Sequence, residues 1–152
     1  MGSYRTVLVG TDGSESSYRA VDRAAGVAQA TGATLVLVSA YRPLQPRELR
    51  LATDVLGDEA YKVTGATPAE DALRAAADRA RAAGASAIQC MAVEGDPVEV
   101  ILEMADGTDA ELVVVGDRGL NSLVDRLLGS VPSSVAHRAR CDVLVTRTTA
   151  GR

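Results

Sequence analysis

The sequence predicts a doubly wound α/β domain, in which helices cover both faces of a parallel β-sheet. Short apolar runs alternate along the chain with longer segments whose apolar residues recur at helical spacing. Strands that are apolar throughout are typical of parallel sheets buried on both faces. Three of the intervening helices end at a glycine that is followed closely by the next strand, which is typical of right-handed βαβ crossovers.

Five apolar runs predict the strands of this sheet. The first, TVLVG, and the fourth, LVVVG, are apolar up to a closing glycine, and the second, TLVLVSA, is apolar over most of its length. The predicted strands are Thr6–Gly10, Thr34–Ala40, Ser86–Val93, Leu112–Gly116 and Asp142–Thr146.

Four helices are predicted from their apolar faces and from residues that favour helix ends. The first has a face of alanine and valine, and the second is rich in alanine throughout. Gly32 and Gly84 are predicted to cap these two helices, while Pro97 suits the first position of the third. A glycine at position 107 is expected to end that third helix. The predicted helices are Ser14–Thr31, Thr67–Ala83, Asp96–Asp106 and Ser133–Arg138.

The connection from Tyr41 to Ala66 interrupts the alternation. It contains 26 residues, more than a compact domain usually leaves between two elements. We expect one domain over residues 1–152, in which segment 41–66 is a long loop insertion. Two interpretations of this segment remain open, a variable surface insertion and a lid or partner-contact loop.

The composition excludes several classes of function. The chain has 152 residues, 16 basic and 20 acidic side chains and a net charge of -4, and it contains no long basic run. Its aromatic residues are four tyrosines, without Phe or Trp, so platforms for base stacking are scarce. We therefore expect no nucleic-acid partner. No apolar run approaches the roughly 18 residues of a membrane span, so we expect no membrane association.

Metal and redox chemistry are similarly restricted. His137 is the only histidine, and Cys90 and Cys141 are the only cysteines, which leaves no zinc site of the usual Cys/His type. Two cysteines in a chain without a recognisable signal peptide favour the reducing cytoplasm. We therefore expect a cytoplasmic protein whose two thiols are reduced and buried.

Glycine clusters follow two of the predicted strands, at the edge of the sheet where open parallel sheets bind ligands. The segment Gly10–Ser14 follows the first strand. After the fourth strand come Gly116 and Gly119, then nine residues, then Gly129 and Ser130. Glycines let the backbone approach an anion closely, and the start of a helix favours negative charge. The clusters before the last helix therefore predict a phosphate-binding site.

With these motifs, the chain resembles the nucleotide-binding subgroup of the universal stress protein family from roughly Tyr4 to Arg147. One motif is Val9–Ser14, and the other, G-x2-G-x9-G-S from Gly116 to Ser130, matches the family's ATP-binding pattern at every specified position. The resemblance implies a five-stranded sheet in the order 3-2-1-4-5 and a homodimer formed through the last strand. In a monomer that strand would be an exposed apolar edge. Its edge residues are Val143, Leu144 and Val145.

The resemblance also implies roles for individual residues. It places the phosphate and ribose oxygens at the glycine motif, and the adenine and ribose near the ends of the first, second and fourth strands. The ligand implied is ATP or cyclic AMP. Asp12 would contact the ribose or hold Mg²⁺, because a bare carboxylate repels phosphate. The nucleotide-binding residues implied are Gly10, Thr11, Asp12, Ala40, Val115, Gly116, Arg118, Gly119, Gly129, Ser130, Val131 and Ser133.

Two positions bear on the choice between these ligands. Pro132 has neither an amide hydrogen nor a hydroxyl, so a phosphate donor is lost unless Ser133 or Ser134 replaces it. Arg118 could clamp a triphosphate or pair with the neighbouring Asp117 in solvent. A nucleotide with one phosphate, such as cyclic AMP, is therefore as good a candidate as ATP.

Other functions fit the sequence less well. The G-x-G-x-x-G of a dinucleotide site and the Gly-Lys-Ser/Thr of a Walker A loop are both missing from the sequence. We predict binding without catalysis, since no G-x-S-x-G motif accompanies His137. The predicted role is nucleotide sensing, buffering or stress signalling. Two alternatives remain open: a nucleotide-dependent protein-interaction module that uses segment 41–66, and a weak ATPase or autophosphorylating protein with Ser130 as acceptor.

Overall fold

The computed structural model describes residues 4–42, 66–117 and 130–148, together with residues 47, 50, 51, 54, 55 and 57. The strands are β1 (Thr6–Gly10), β2 (Thr34–Tyr41), β3 (Ile88–Glu94), β4 (Leu112–Gly116) and β5 (Asp142–Thr146). The helices are α1 (Glu15–Thr31), α2 (Thr67–Ala82), α3 (Pro97–Gly107) and α4 (Ser130–Arg138). The strands form a parallel sheet in the order β3-β2-β1-β4-β5. The predicted fold class and strand order are thus confirmed.

Each face of the sheet has its own hydrophobic core, because successive strand residues point to opposite faces. In the central strand β1, Val7 and Val9 pack against α1 and α2, while Leu8 packs against α3 and α4. All three side chains are fully buried. A strand that is buried on both faces offers no solvent-facing position for a polar residue, which explains its uninterrupted apolar sequence.

Most helix ends follow the residues that the sequence indicates. Ser14 caps α1 by accepting a hydrogen bond from the amide of Ser17, and Gly32 ends the helix in the left-handed conformation at φ +71°. Gly107, by contrast, lies inside α3 as its last residue. Asp109, at φ 54°, is the left-handed residue after that helix.

Helix α4 starts three residues earlier than predicted, at Ser130 instead of Ser133. Pro132 therefore lies in the first turn of the helix. The amides of a first turn have no intrahelical partner, so a proline there removes no helical hydrogen bond. The predicted start at Ser133 is therefore three residues too late, and Pro132 is compatible with the helix where it lies.

Strand β3 forms one edge of the sheet and begins at Ile88, two residues later than predicted. The chain before it is still closing α2, because the amide of Ala85 donates to the carbonyl oxygen of Ala80. Cys90 in this strand is exposed, so the expectation that both thiols are buried is wrong. An edge strand has a neighbour on one side alone, which leaves its side chains less covered than those of a central strand.

Charged residues join α1 to α2 above the first core. Arg79 of α2 donates to both carboxylate oxygens of Asp22, at 3.2 and 2.6 Å, and to Glu15 at 3.0 Å. Its guanidinium also lies 5.3 Å from the centre of the Tyr18 ring, within the range of a cation–π interaction. These hydrogen bonds, first of all those to Asp22, raise the pKa of Arg79 above its ordinary value. The group fixes the first turns of α1, which lead into the site described below.

The predictions for segment 41–66 and for membrane association can be compared with the described residues alone. Most of segment 41–66 lies outside the described residues, so its predicted role as an insertion stays a prediction. Among the helices that are described, none is long and apolar enough to cross a membrane.

Candidate functional site

A cleft of about 220 Å³ opens at the carboxyl ends of β1 and β4. Helices α1 and α2 cover one face of the sheet, and α3 and α4 cover the other. The helices that next follow β1 and β4 along the chain, α1 and α4, therefore lie on opposite faces of the sheet, and open parallel sheets usually bind ligands at such a point. The cleft is lined by Gly10, Thr11, Asp12, Ser14, Ser16, Ser17, Ala20, Val38, Ala40, Pro97, Ile101, Val115, Gly116, Val131 and Pro132.

Hydroxyl groups line the side of the cleft that the β1–α1 connection forms. The Oγ1 atom of Thr11 lies 2.7 Å from Oγ of Ser17 and accepts a hydrogen bond from the amide of Gly13. Ser17 donates in turn to the carbonyl oxygen of Ser14, at 2.8 Å. Thr11 and Ser17 therefore use their hydroxyls to hold the connection together. Ser16 also lines the cleft, and its hydroxyl forms no hydrogen bond among the described residues.

Asp12 shapes the same connection from its exposed side. Its Oδ1 atom accepts a hydrogen bond from the amide of Ser14 at 2.8 Å, which closes an Asx turn. Gly13 follows at φ +84°, and a Cβ atom there would lie 3.2 Å from Cβ of Ala72 in α2. A glycine at this position thus permits both the left-handed turn and the close approach of α2.

The described residues contain no group of three or more His, Cys, Asp or Glu side chains that could hold a metal ion. Mg²⁺ takes several oxygen ligands, and in nucleotide sites phosphate oxygens supply part of them. An ion at Asp12 would therefore need a bound phosphate for its coordination.

The opposite side of the cleft is apolar and combines strand ends with the first turns of α3 and α4. A Cβ atom at Gly10 would lie 3.1 Å from Cδ1 of Ile101, so the glycine lets α3 approach the end of β1. The ring of Pro132 is fully buried. This side suits a flat ring of low polarity. Its residues are Val38, Ala40, Pro97, Ile101, Val115, Val131 and Pro132, while the remaining apolar residue of the lining, Ala20, belongs to α1.

The end of β4 is held by residues that follow β5. The amide of Asp117 donates to the carbonyl oxygen of Thr146 at 2.8 Å. Its Oδ1 atom accepts two hydrogen bonds from Thr148, from the hydroxyl at 2.9 Å and from the amide at 3.1 Å. Thr148 is buried, and a Cβ atom at Gly116 would lie 2.6 Å from its Cγ2 atom. We call Gly116, Asp117 and Thr148 the strand-end clasp.

A bidentate ion pair joins the two helices of the apolar side. The Nη1 and Nη2 atoms of Arg138 in α4 donate to Oε1 and Oε2 of Glu99 in α3, at 2.7 and 3.1 Å. These hydrogen bonds lower the pKa of Glu99 and raise that of Arg138. Both side chains are half exposed, so the pair contributes modestly to stability.

This ion pair gives a prediction for the pH dependence of stability. The pKa of Glu99 in the folded protein lies below its ordinary value of 4.5. The contribution of the ion pair to the free energy of unfolding is therefore complete above pH 4.5. It is lost as the pH falls through the lower pKa that Glu99 has in the folded protein. Glu99→Gln is expected to lower the Tm slightly at pH 7, with a difference that shrinks on acidification and at high salt.

Thermal unfolding of the variant and the wild type, followed from pH 7 down into the acid range, measures this difference. Glu103→Gln is the matched control, because Glu103 is exposed on the same helix and has no ion-pair partner among the residues described. A Glu99→Gln deficit that stays constant with pH would contradict the assignment.

The structure brings seven of the predicted nucleotide-binding residues to the cleft: Gly10, Thr11, Asp12, Ala40, Val115, Gly116 and Val131. Ser130 and Ser133 lie in α4, outside the cleft lining. Arg118, Gly119 and Gly129 lie outside the described residues.

Several lining residues were missed by the sequence analysis. Ser16 and Ser17 directly follow the predicted loop after β1, so their position was a usable signal. Pro97 and Ile101 carry no such signal, because the strand order alone brings their helix to β1. The lining residues outside the predicted nucleotide-binding set are Ser14, Ser16, Ser17, Ala20, Val38, Pro97, Ile101 and Pro132.

Known proteins resemble this chain over almost its entire length. Residues 3–147 match the model of the Universal stress protein family. The chain is 50% identical over 149 residues to universal stress protein Rv1636 of Mycobacterium tuberculosis, covering 98% of this chain and 100% of that protein.

Two solved structures share the fold. A crystal structure of a universal stress protein in complex with cAMP matches with a TM-score of 0.76 and 43% identity, covering 97% of this chain and 100% of that one. The universal stress protein UspA from Lactobacillus plantarum matches with a TM-score of 0.77 and 26% identity, with the same coverage of 97% and 100%. By sequence and by fold, the chain belongs to the universal stress protein family.

Proposed function

We propose that the chain binds an adenine nucleotide in the cleft between β1 and β4, with cyclic AMP and ATP as candidate ligands. The observation that carries the proposal is the division of this cleft into an apolar side and a hydroxyl-lined side. An adenine ring suits the first side, and the ribose oxygens suit the second. The 43% identical universal stress protein that was crystallised with cAMP supports this class of ligand.

The donors available to phosphate favour cyclic AMP as the first candidate. Backbone amides at Gly116 and in the first turn of α4, from Ser130 onward, are the groups that we expect to face the phosphate. Pro132 removes one amide from that turn. A phosphodiester with one negative charge needs fewer hydrogen-bond donors than a triphosphate. The missing amide at Pro132 therefore lowers the affinity for cyclic AMP less than the affinity for ATP.

Ser16 gives a direct test of the hydroxyl-lined side. Ser16→Ala is expected to weaken nucleotide affinity roughly tenfold, as for the loss of one hydrogen bond of about 1.4 kcal/mol, and to leave the Tm nearly unchanged. Ser17→Ala is the matched control. The Ser17 hydroxyl donates to the backbone of Ser14, so its removal is expected to lower the Tm. Unchanged affinity in Ser16→Ala would contradict the assignment of this side to the ligand.

The proposed function is tested by calorimetric titration of ligand-stripped protein with cyclic AMP and ATP, each with and without Mg²⁺. Binding of cyclic AMP without metal is the expected result. Tight binding of ATP that requires Mg²⁺, accompanied by phosphate release, would instead support the weak ATPase. The absence of heat with every ligand would reject nucleotide binding and direct attention to segment 41–66 as an interaction surface.

We further propose that the protein is a homodimer formed through β5 and acts in nucleotide sensing or buffering, without turnover. The strand lies at an edge of the sheet, and its apolar residues Val143, Leu144 and Val145 are half-buried. Pairing with a second copy would cover this edge. Light scattering measures the mass in solution, and a monomer at micromolar concentration would reject the interface.

The proposal of binding without turnover is supported by the position of His137. Its Nδ1 atom lies 2.8 Å from the carbonyl oxygen of Ser133 in its own helix, so this nitrogen is already engaged in a contact within the helix.

A further inference from the structure

The strand-end clasp is a partly buried group of hydrogen-bonded polar atoms at the point where the chain leaves β4. Thr148 is 3% exposed, and a buried hydroxyl or carboxylate oxygen is costly unless it is hydrogen-bonded. Both donors of Thr148, its hydroxyl and its amide, are directed at the same oxygen of Asp117. The amide of Asp117 is also bonded, to the carbonyl oxygen of Thr146. The residue directly after β4 is therefore fixed by three hydrogen bonds to the end of β5.

The clasp is also closely packed on its apolar side. The Cγ2 atom of Thr148 occupies the space that a side chain at Gly116 would need, 2.6 Å from an added Cβ. Gly116 itself lines the cleft. Gly116 therefore contacts the cleft on one side and Thr148 on the other. A displacement of Thr148 would shift Gly116 and with it the cleft lining.

We propose that Thr148 is a positioning residue for the phosphate end of the cleft, an inference that rests on the proposed nucleotide binding. By donating twice to Asp117, Thr148 sets the direction in which the chain leaves β4 and hence the position of the Gly116 backbone. It also holds the Asp117 carboxylate against the end of β5. A carboxylate released from that contact would be free to approach the phosphate and repel it.

The inference is tested with two substitutions of Thr148 that separate its hydroxyl from its shape. Thr148→Val keeps the branched shape and removes the hydroxyl, while Thr148→Ser keeps the hydroxyl. Affinities for cyclic AMP and for adenosine, which lacks phosphate, are measured by competition against a fluorescent adenine nucleotide. Thr148→Val is expected to weaken cyclic AMP roughly fivefold and adenosine less than twofold. Thr148→Ser is expected to bind both as the wild type does.

Two further variants serve as controls. Thr108→Val removes a hydroxyl that donates to the carbonyl oxygen of Met104 at 2.7 Å, at the far end of α3, and it should leave both affinities unchanged. Asp117→Ala removes the acceptor of the clasp. Combined with Thr148→Val, it is expected to add no further loss of cyclic AMP affinity, because both substitutions break the same contact and the double variant has no released carboxylate to repel the phosphate.

The possible outcomes separate the inference from the proposed function. Wild-type protein that binds neither ligand would reject the proposed function, and the role of Thr148 with it. Wild-type binding together with unchanged cyclic AMP affinity in Thr148→Val would reject the role of Thr148 alone. Equal losses of cyclic AMP and adenosine affinity would also reject it, since they indicate general damage to the cleft and not a displaced phosphate end.

Discussion

The Gly116→Ala variant is expected to be less stable by about 1–3 kcal/mol and to lose most of its nucleotide affinity. The new methyl group would lie 2.6 Å from Cγ2 of Thr148. Thr148 has little freedom to turn away, because its hydroxyl and its amide are both bonded to Asp117. Either the strand-end clasp opens or β4 shifts, and each change displaces the cleft lining at Gly116. Chemical denaturation and calorimetric titration measure the two effects.

Two comparisons isolate the cause of this loss. Gly26→Ala is the same chemical change on the exposed face of α1, where an added Cβ has no atom within 4 Å. It is expected to stabilise the protein by about 0.5–1 kcal/mol. Adding Thr148→Ser to Gly116→Ala removes the clashing methyl group and should restore most of the lost stability. A double variant that is as unstable as Gly116→Ala would show that the close contact is not responsible.

Leu8→Ala is expected to cost about 2–5 kcal/mol of unfolding free energy, a large part of the total for a domain of this size. Leu8 is fully buried in the central strand, in the core that α3 and α4 cover. Its neighbours Val36 and Val113 are held in register on the adjacent strands. The surroundings therefore cannot collapse into the space that the truncated side chain leaves.

Denaturant unfolding measures the effect, with Leu51→Ala as the control. The Leu51 side chain is 57% exposed, so its truncation is expected to change stability by no more than about 0.5 kcal/mol. Similar losses in the two variants would contradict the placement of Leu8 in the core.

Local signals were sufficient for most of the fold. The apolar runs and the capping residues Ser14, Gly32 and Asp96 act within a few positions of the chain, so the elements could be predicted from them. Two boundaries were predicted wrongly: β3 begins later because Ala85 still bonds to Ala80 of α2, and α4 begins earlier because its first turn tolerates Pro132. The order of the strands could not be derived from the runs, because it depends on pairings such as Val7 with Leu112 that are distant in sequence. The resemblance to the family supplied it.

The candidate site divides in the same way. Its hydroxyl-lined side is one continuous segment after β1, and its beginning, Thr11 and Asp12, was predicted. The apolar side combines separate segments, so Pro97 and Ile101 could be assigned to it only from the folded chain. Thr148 carried no sequence signal at all, because its role depends on a hydrogen bond to a residue 31 positions away. Contacts of this kind follow from the packing of the sheet edge and from no local pattern.

The strand-end clasp also bears on the order in which the parts of the protein fold. The cleft takes residues from β1 near the start of the chain, and the clasp that braces it ends at Thr148. During synthesis, β1, β2 and β3 leave the ribosome first, but β1 receives its second neighbour, β4, only much later. Parallel pairings between distant segments are slow steps in folding. A nucleotide that binds in this cleft therefore recognises the finished sheet, and protection by the nucleotide is expected to appear in the last phase of refolding.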